Sequence, residues 1–151
     1  MKAFYSLLGS LIIILALLAS CGGNSSNGFS APDGSTIVIN PGDFTVTDAG
    51  STTTTRTHYF SIVVKDSSGA PLNKAKINIF FPWAVPNPPA VVQLYDGSTA
   101  VNSPFDAFTD SFGVYNLRFD YQSGGGLAYF GNLEVRSGTA FQSIIITINA
   151  Q

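Results

Sequence analysis

Apolar and polar residues alternate over most of the chain beyond residue 35, in short runs separated by Gly, Pro, Asp and Asn. This alternation is typical of strands with one buried face, because neighbouring side chains of a strand point to opposite sides of the sheet. Sustained helical spacing is absent from this region of the sequence. We therefore predict an all-β domain of about seven to nine strands. The strand-like runs are 36–40, 43–47, 57–65, 74–81, 91–95, 114–121, 128–135 and 141–149.

The alternation also predicts which side chains form the core. Turn residues at intervals of about 8–12 residues are typical of an antiparallel β-sandwich, in which two sheets bury their inner faces against each other. A domain of about 115 residues buries well over half of the surface that its unfolded chain exposes, so it folds without disulfides. The side chains predicted to point inward are Phe60, Ile62, Val64, Ala75, Ile77, Ile79, Phe81, Tyr115, Leu117, Phe119 and Tyr121.

The first residues have a different pattern. Lys2 is followed by an uninterrupted run without charge over 7–19, LLGSLIIILALLA. As a helix this run would extend about 20 Å, which is too short for a hydrocarbon core of about 30 Å. A positive start, a short apolar middle and small residues at the end are typical of a secretory signal peptide.

The signal-like run ends in Leu18, Ala19, Ser20 and Cys21, which resemble a bacterial lipobox. The resemblance implies cleavage before Cys21, diacylglycerol on its sulfur and a fatty acid such as palmitate on the new amino group, with no other cofactor. The only Cys of the chain occupies the required position. Position 22 is occupied by Gly and not by the Asp of a retention signal. In this respect the chain resembles lipoproteins that are exported to the outer membrane. We expect a protein anchored by lipid in a bacterial cell envelope.

These observations predict three segments. Residues 1–20 form the signal peptide, and 36–151 form the sandwich domain. Between them, 21–35 contain the lipidated Cys and a tether rich in Gly, Ser and Asn, which we expect to be flexible and to reach on the order of 20 Å.

Composition narrows the function further. Only 11% of the residues are charged, and the formal net charge is −2, so we expect no nucleic-acid partner. The hydrophobic content of 45% argues against intrinsic disorder. One Cys and one His exclude a disulfide within the chain and most metal sites.

Two segments share an Asp followed three residues later by Gly: Asp66 with Gly69, and Asp110 with Gly113. An Asp side chain accepts backbone N–H bonds in such turns, and Gly adopts the positive φ that closes them. With these turns the chain resembles the bacterial Ig-like domains of invasin- and intimin-type adhesins, and the resemblance implies a structural or adhesive role. Transthyretin-like and carboxypeptidase-regulatory-like sandwiches share the first turn and remain alternatives. The matching residues are Val64, Asp66, Gly69, Pro71, Ile77, Phe81, Thr109, Asp110, Gly113, Tyr115 and Leu117.

Catalytic chemistry has few candidates. His58 is the only His, and a lone His at the start of a strand is usually a surface or edge residue. Most of the acidic residues lie in turn-like segments, where capping and solvation account for them. Calcium binding through Asp66 and Asp110 is a further alternative, although no EF-hand-like run of aspartates exists. We expect no enzymatic activity.

The segment 80–90 contains four prolines and a Trp, and it predicts a stiff loop. Phe80, Trp83 and Val85 are candidate contact residues, although Trp83 packing over an open end of the sandwich explains the same pattern. We expect a protein-interaction module that binds an envelope protein or surface polymer. The alternative is a carbohydrate-binding or accessory module that uses Trp83 with Tyr95 or Tyr121 as stacking platforms.

Overall fold

The computed structural model describes residues 28–48, 50–84, 92–126 and 128–150. These residues form strands, turns and loops, and none of them forms a helix of the length and apolarity needed to cross a bilayer. The strands are β1 (Phe29–Ser30), β2 (Thr36–Asn40), β3 (Phe44–Asp48), β4 (Thr54–Lys65), β5 (Ala75–Phe80), β6 (Trp83–Ala84), β7 (Val92–Asp96), β8 (Thr99–Val101), β9 (Phe105–Phe108), β10 (Val114–Ser123), β11 (Tyr129–Ser137) and β12 (Ala140–Ala150).

The strands form two sheets. The seven-stranded sheet, which we call the front sheet, has the order β1-β5-β11-β12-β3, with β6 also paired to β11 and β9 to β5. The five-stranded sheet, which we call the back sheet, has the order β2-β4-β10-β7-β8. Strand pairs β1–β5 and β12–β3 are parallel, and the other pairs are antiparallel.

This order is that of an immunoglobulin-like sandwich. In the constant-type fold, strands A, B, E and D form one sheet and strands C, F and G the other. Here β2, β4, β10 and β7 reproduce the first set, and β5, β11 and β12 the second. The predicted fold class is therefore confirmed. The strand number is higher than predicted because the short strands β1, β6, β8 and β9, of two to four residues, lack a visible alternation.

The core lies between the sheets and is rich in aromatic rings. Phe60, Phe81 and Phe119 are buried almost completely, and Phe119 makes edge contacts with the other two at ring-centroid distances of 5.7 and 5.6 Å. Every side chain predicted to point inward is buried. The alternation therefore identified the inner faces of the three strands for which it was used, β4, β5 and β10.

The start of the domain differs from the expected boundary at residue 36. Phe29 and Ser30 pair with β5, and Ala31 is 5% exposed. The Ala31 amide donates to the Ser137 hydroxyl at 3.1 Å, and that hydroxyl donates to the Lys76 carbonyl at 2.6 Å. Residues 28–35 thus belong to the sandwich, and the tether predicted over 21–35 ends earlier.

We expect Phe119→Ala to lower the free energy of unfolding by about 3–5 kcal/mol, because it leaves a cavity between the sheets. The control is Phe130→Ala, which removes a ring that is 49% exposed and should change stability by less than about 1 kcal/mol. Urea denaturation followed by circular dichroism measures both. Equal losses in the two variants would contradict this description of the core.

Candidate functional site

The two Asp–Gly turns have the same hydrogen-bond pattern. Asp66 Oδ1 accepts from the amides of Ser68 and Ala70 at 2.8 and 2.9 Å, and also from the Ser68 hydroxyl. Gly69 has a φ of 88°. The hydrogen bonds, led by that from the Ser68 hydroxyl, hold the pKa of Asp66 below its ordinary value. This carboxylate is therefore occupied by its own turn.

The second turn repeats this arrangement. Asp110 Oδ1 accepts from the amides of Phe112 and Val114 at 2.8 and 3.0 Å, and Gly113 has a φ of 73°. Within the described ranges no three His, Cys, Asp or Glu side chains cluster as metal ligands would. The calcium alternative therefore has no ligand cluster in this part of the chain.

Thr109, which precedes the second turn, joins two loops at one end of the sandwich. Its hydroxyl donates to the Leu72 carbonyl at 2.6 Å and accepts from the Ala75 amide at 2.9 Å. The residue is 2% exposed. Two backbone groups thus depend on one buried hydroxyl, and this gives the Thr of the sequence motif a structural role.

His58 lies among aromatic rings. Its ring is 4.2 Å from that of Phe44 and 4.8 Å from that of Phe60, measured between centroids. Its buried Nε2 has no hydrogen-bond partner among the described residues, and burial lowers the pKa of the imidazole. This environment favours a neutral packing residue.

The predicted contact loop is described in part. Phe80 is 39% exposed on the outer face of the front sheet, opposite Glu134. The backbone of Trp83 pairs with Gly131 of β11. Val85 lies outside the described residues, as do the lipobox residues Leu18, Ala19, Ser20 and Cys21.

The outer face of the front sheet exposes several large apolar side chains. The register places Ile145 opposite Asn132, and therefore diagonal to Phe130. The Arg136 guanidinium lies 4.8 Å from the ring centroid of Phe141. The exposed apolar residues on this side are Phe108, which lies opposite Lys76 near the start of β5, and four others farther along the sheet. We call these four, which are 39–50% exposed, the front face: Phe80, Phe130, Phe141 and Ile145.

The outer face of the back sheet has a different chemistry. Arg118 lies directly between Tyr59 and Tyr95 in the strand register, and its guanidinium is 4.3 Å from the Tyr95 ring centroid. Tyr59 is 59% exposed. We call this row of three residues the tyrosine row. Tyr121, the other stacking platform considered from the sequence, is only 6% exposed, and its ring packs in the core. That role is therefore ruled out for Tyr121.

A fixed ion pair supports the tyrosine row. Arg118 donates to both carboxylate oxygens of Asp120, and the Thr57 hydroxyl donates to the same carboxylate at 2.7 Å. The bond from Arg118 is the main cause of the lowered pKa of Asp120, and the same bond raises the pKa of Arg118. Asp120 is 8% exposed, so its charge depends on these partners.

Asp120 should make stability depend on pH in the acid range. A carboxyl with a lowered folded-state pKa stabilises the fold above its unfolded value of about 3.9, and this contribution is lost as the pH falls through the folded-state value. The stability difference between wild type and Asp120→Asn should therefore be largest above about pH 5 and shrink below pH 4. Urea denaturation across this range measures it, and Arg118→Leu should reproduce the trend. A difference that stays constant with pH would contradict the prediction.

No family model matches the chain, and no curated protein matches it. Several solved structures resemble it distantly, among them the following three. The ASH/PapD-like domain of human CEP192 is 9% identical, with 86% of this chain and 95% of that one covered and a TM-score of 0.44. A conjugative transposon lipoprotein from Bacteroides eggerthii is 12% identical, with 76% and 98% covered and a TM-score of 0.44. WR4, a C. elegans MSP family member, is 12% identical, with 76% and 97% covered and a TM-score of 0.39. The immunoglobulin-like architecture of this chain follows from its own strand order and pairing.

Proposed function

We propose that this protein is an envelope lipoprotein whose immunoglobulin-like domain binds another envelope protein through the front face. The observation that carries the proposal is the exposure of Phe80, Phe130, Phe141 and Ile145 on one side of one sheet. The resemblance to bacterial Ig-like domains of the invasin and intimin type supports the same structural or adhesive role.

The chemistry of the front face suits a protein partner. Interface centres are enriched in aromatic residues and Arg, with polar groups nearby for hydrogen bonds. Asn132, Glu134 and Ser143 lie between the apolar residues of this face. Burying the exposed half of one such ring, roughly 100 Å² at about 25 cal/mol per Å², contributes about 2.5 kcal/mol before the cost of association. Several of these residues together support specific binding without a deep pocket.

The proposed lipid anchor at Cys21 favours the same role. One acyl chain binds a membrane only marginally, whereas two or three give a durable attachment, because each buried methylene adds about 0.8 kcal/mol. Attachment confines the domain to the membrane surface and raises its effective concentration toward envelope partners. No catalytic group is required for this function. The resemblance of Gly22 to the exported class favours the outer membrane.

The double variant Phe130→Ser/Ile145→Ser should lose the partner of the front face, because it removes two diagonal neighbours from the centre of that face. The measurement is crosslinking in intact cells, followed by purification of the lipoprotein and mass spectrometry. Tyr59→Ser, on the back sheet, is the control and should retain the same partner. A partner lost with Tyr59→Ser and retained by the double variant would contradict the proposal.

Glycan binding at the tyrosine row is the second candidate function. An exposed Tyr59 ring beside an Arg118–Asp120 pair combines a stacking surface with fixed polar groups, as sugar recognition requires. Saturable binding to an insoluble polysaccharide that Tyr59→Ala abolishes, and that the front-face double variant retains, would favour this candidate over protein binding.

Anchoring has a direct test. Cys21→Ser should abolish labelling by an alkynyl fatty acid and release the protein from the membrane fraction, because the thiol is the proposed site of diacylglycerol attachment. The control moves the thiol within the same segment, as Cys21→Ser with Ser25→Cys, and should also remain unlabelled. Labelling that persists in Cys21→Ser would refute the lipid anchor.

A further inference from the structure

Three exposed phenylalanines lie at the end of the sandwich where the chain enters the front sheet. Phe29 in β1 is 45% exposed, Phe108 at the end of β9 is 46% exposed, and Phe112 in the second Asp–Gly turn is 76% exposed. Lys74 connects two of these segments, because its carbonyl accepts from the Phe29 amide at 3.3 Å and its amide donates at 3.1 Å to the carbonyl of Thr109, which follows Phe108. The Phe108 ring lies directly against Gly28, where a side chain would collide with it. We call Phe29, Phe108 and Phe112 the entry cluster.

The turn itself does not require an aromatic residue at position 112. Ser68 occupies the corresponding place in the first turn, two residues after Asp66, and its amide makes the same bond to the Asp carboxylate. The backbone geometry is therefore built equally well with Ser. Because the Phe112 ring is three-quarters exposed to water, it contributes little to the stability of the fold. A function at the surface therefore explains this ring better than folding does.

The entry cluster is also the part of the domain tied most closely to the proposed anchor. Seven residue steps separate Cys21 from Gly28. Covalent geometry limits them to about 25 Å when fully extended. The domain end of this connection is fixed, because β1 pairs with β5 and Ala31 bonds to Ser137. The acyl chains therefore lie within reach of the entry cluster, whereas Phe130 lies about 23 Å farther along β11 from Ser137.

We propose that the entry cluster inserts into the interfacial layer of the bilayer that holds the acylated Cys21. This end of the sandwich then contacts the membrane, and the strands point away from it. The inference rests on the proposed lipid anchor. Aromatic rings bind favourably at the boundary between headgroups and acyl chains. In this orientation both outer faces of the sandwich point sideways, and the front face is presented to neighbouring envelope proteins.

The charges around the entry cluster indicate the kind of lipid. Two cations and two anions adjoin the cluster: Lys74 beside Phe29, Lys76 opposite Phe108 and paired with Asp106 at 2.8 Å, and Asp110 in the turn of Phe112. This balance gives no net attraction to anionic headgroups. Insertion should therefore depend on apolar burial, occur in zwitterionic membranes and respond weakly to salt.

The test uses the lipidated mature chain reconstituted in phosphatidylcholine vesicles, with and without brominated acyl chains that quench Trp emission. Phe112→Trp places a reporter in the entry cluster, and Phe29→Trp places a second one on a different strand. Phe130→Trp is the matched control, an exposed Phe replaced at the other end of the domain. Emission of Trp83, measured in the wild type, is subtracted from each variant.

The emission added by Phe112→Trp and Phe29→Trp should shift to the blue and fall about twofold or more in brominated vesicles, and that of Phe130→Trp should not change. If the chain floats with the vesicles but neither reporter is quenched, or if all three are quenched equally, the orientation is overturned and the anchor stands. If the lipidated chain does not float with the vesicles, the anchor and the orientation both fall.

Discussion

The packing of Phe119 between Phe60 and Phe81 joins the two sheets, and the orientation of every outer residue follows from it. When Phe119 points inward, its neighbours Arg118 and Asp120 must point outward, where they form the ion pair beside Tyr95. When Phe81 points inward, Phe80 joins the front face. Because strand side chains alternate, a slip of one residue would exchange core and surface along the whole strand. The candidate binding faces are therefore fixed by the same contacts that stabilise the fold.

Alternation and turn residues allowed the fold class and the eight long strand runs to be predicted from the sequence, because each strand carries its own pattern. The four short strands were not predicted, because two to four residues do not establish an alternation of apolar and polar side chains. The start of the domain was placed too late for a different reason. Ala31 is held by Ser137, which is 106 residues away along the chain, and no local pattern records such a contact.

The candidate site was less accessible to sequence reasoning. The outward positions of Arg118 and Asp120 followed from alternation, but their association with Tyr59 and Tyr95 depends on strand register across the back sheet. Tyr121 was considered a surface platform although its own alternation predicted burial, and burial is what the structure has. Phe130 and Ile145 become neighbours only through the pairing of β11 with β12. The Ser68 and Phe112 comparison was visible in the sequence, since the two turns share one spacing.

The pairing of β1 with β5 has a mechanical consequence. The chain enters the front sheet at one end of the sandwich, and β1 runs alongside β5 in the same direction. If the proposed lipid anchor at Cys21 holds the chain, a pull from the membrane on Gly28 is directed along the strands. Such a load shears the β1–β5 bonds and the Ala31–Ser137 bond together, instead of peeling them one after another. With the proposed anchor and the proposed partner of the front face, this arrangement would let the domain bear tension between the two attachments.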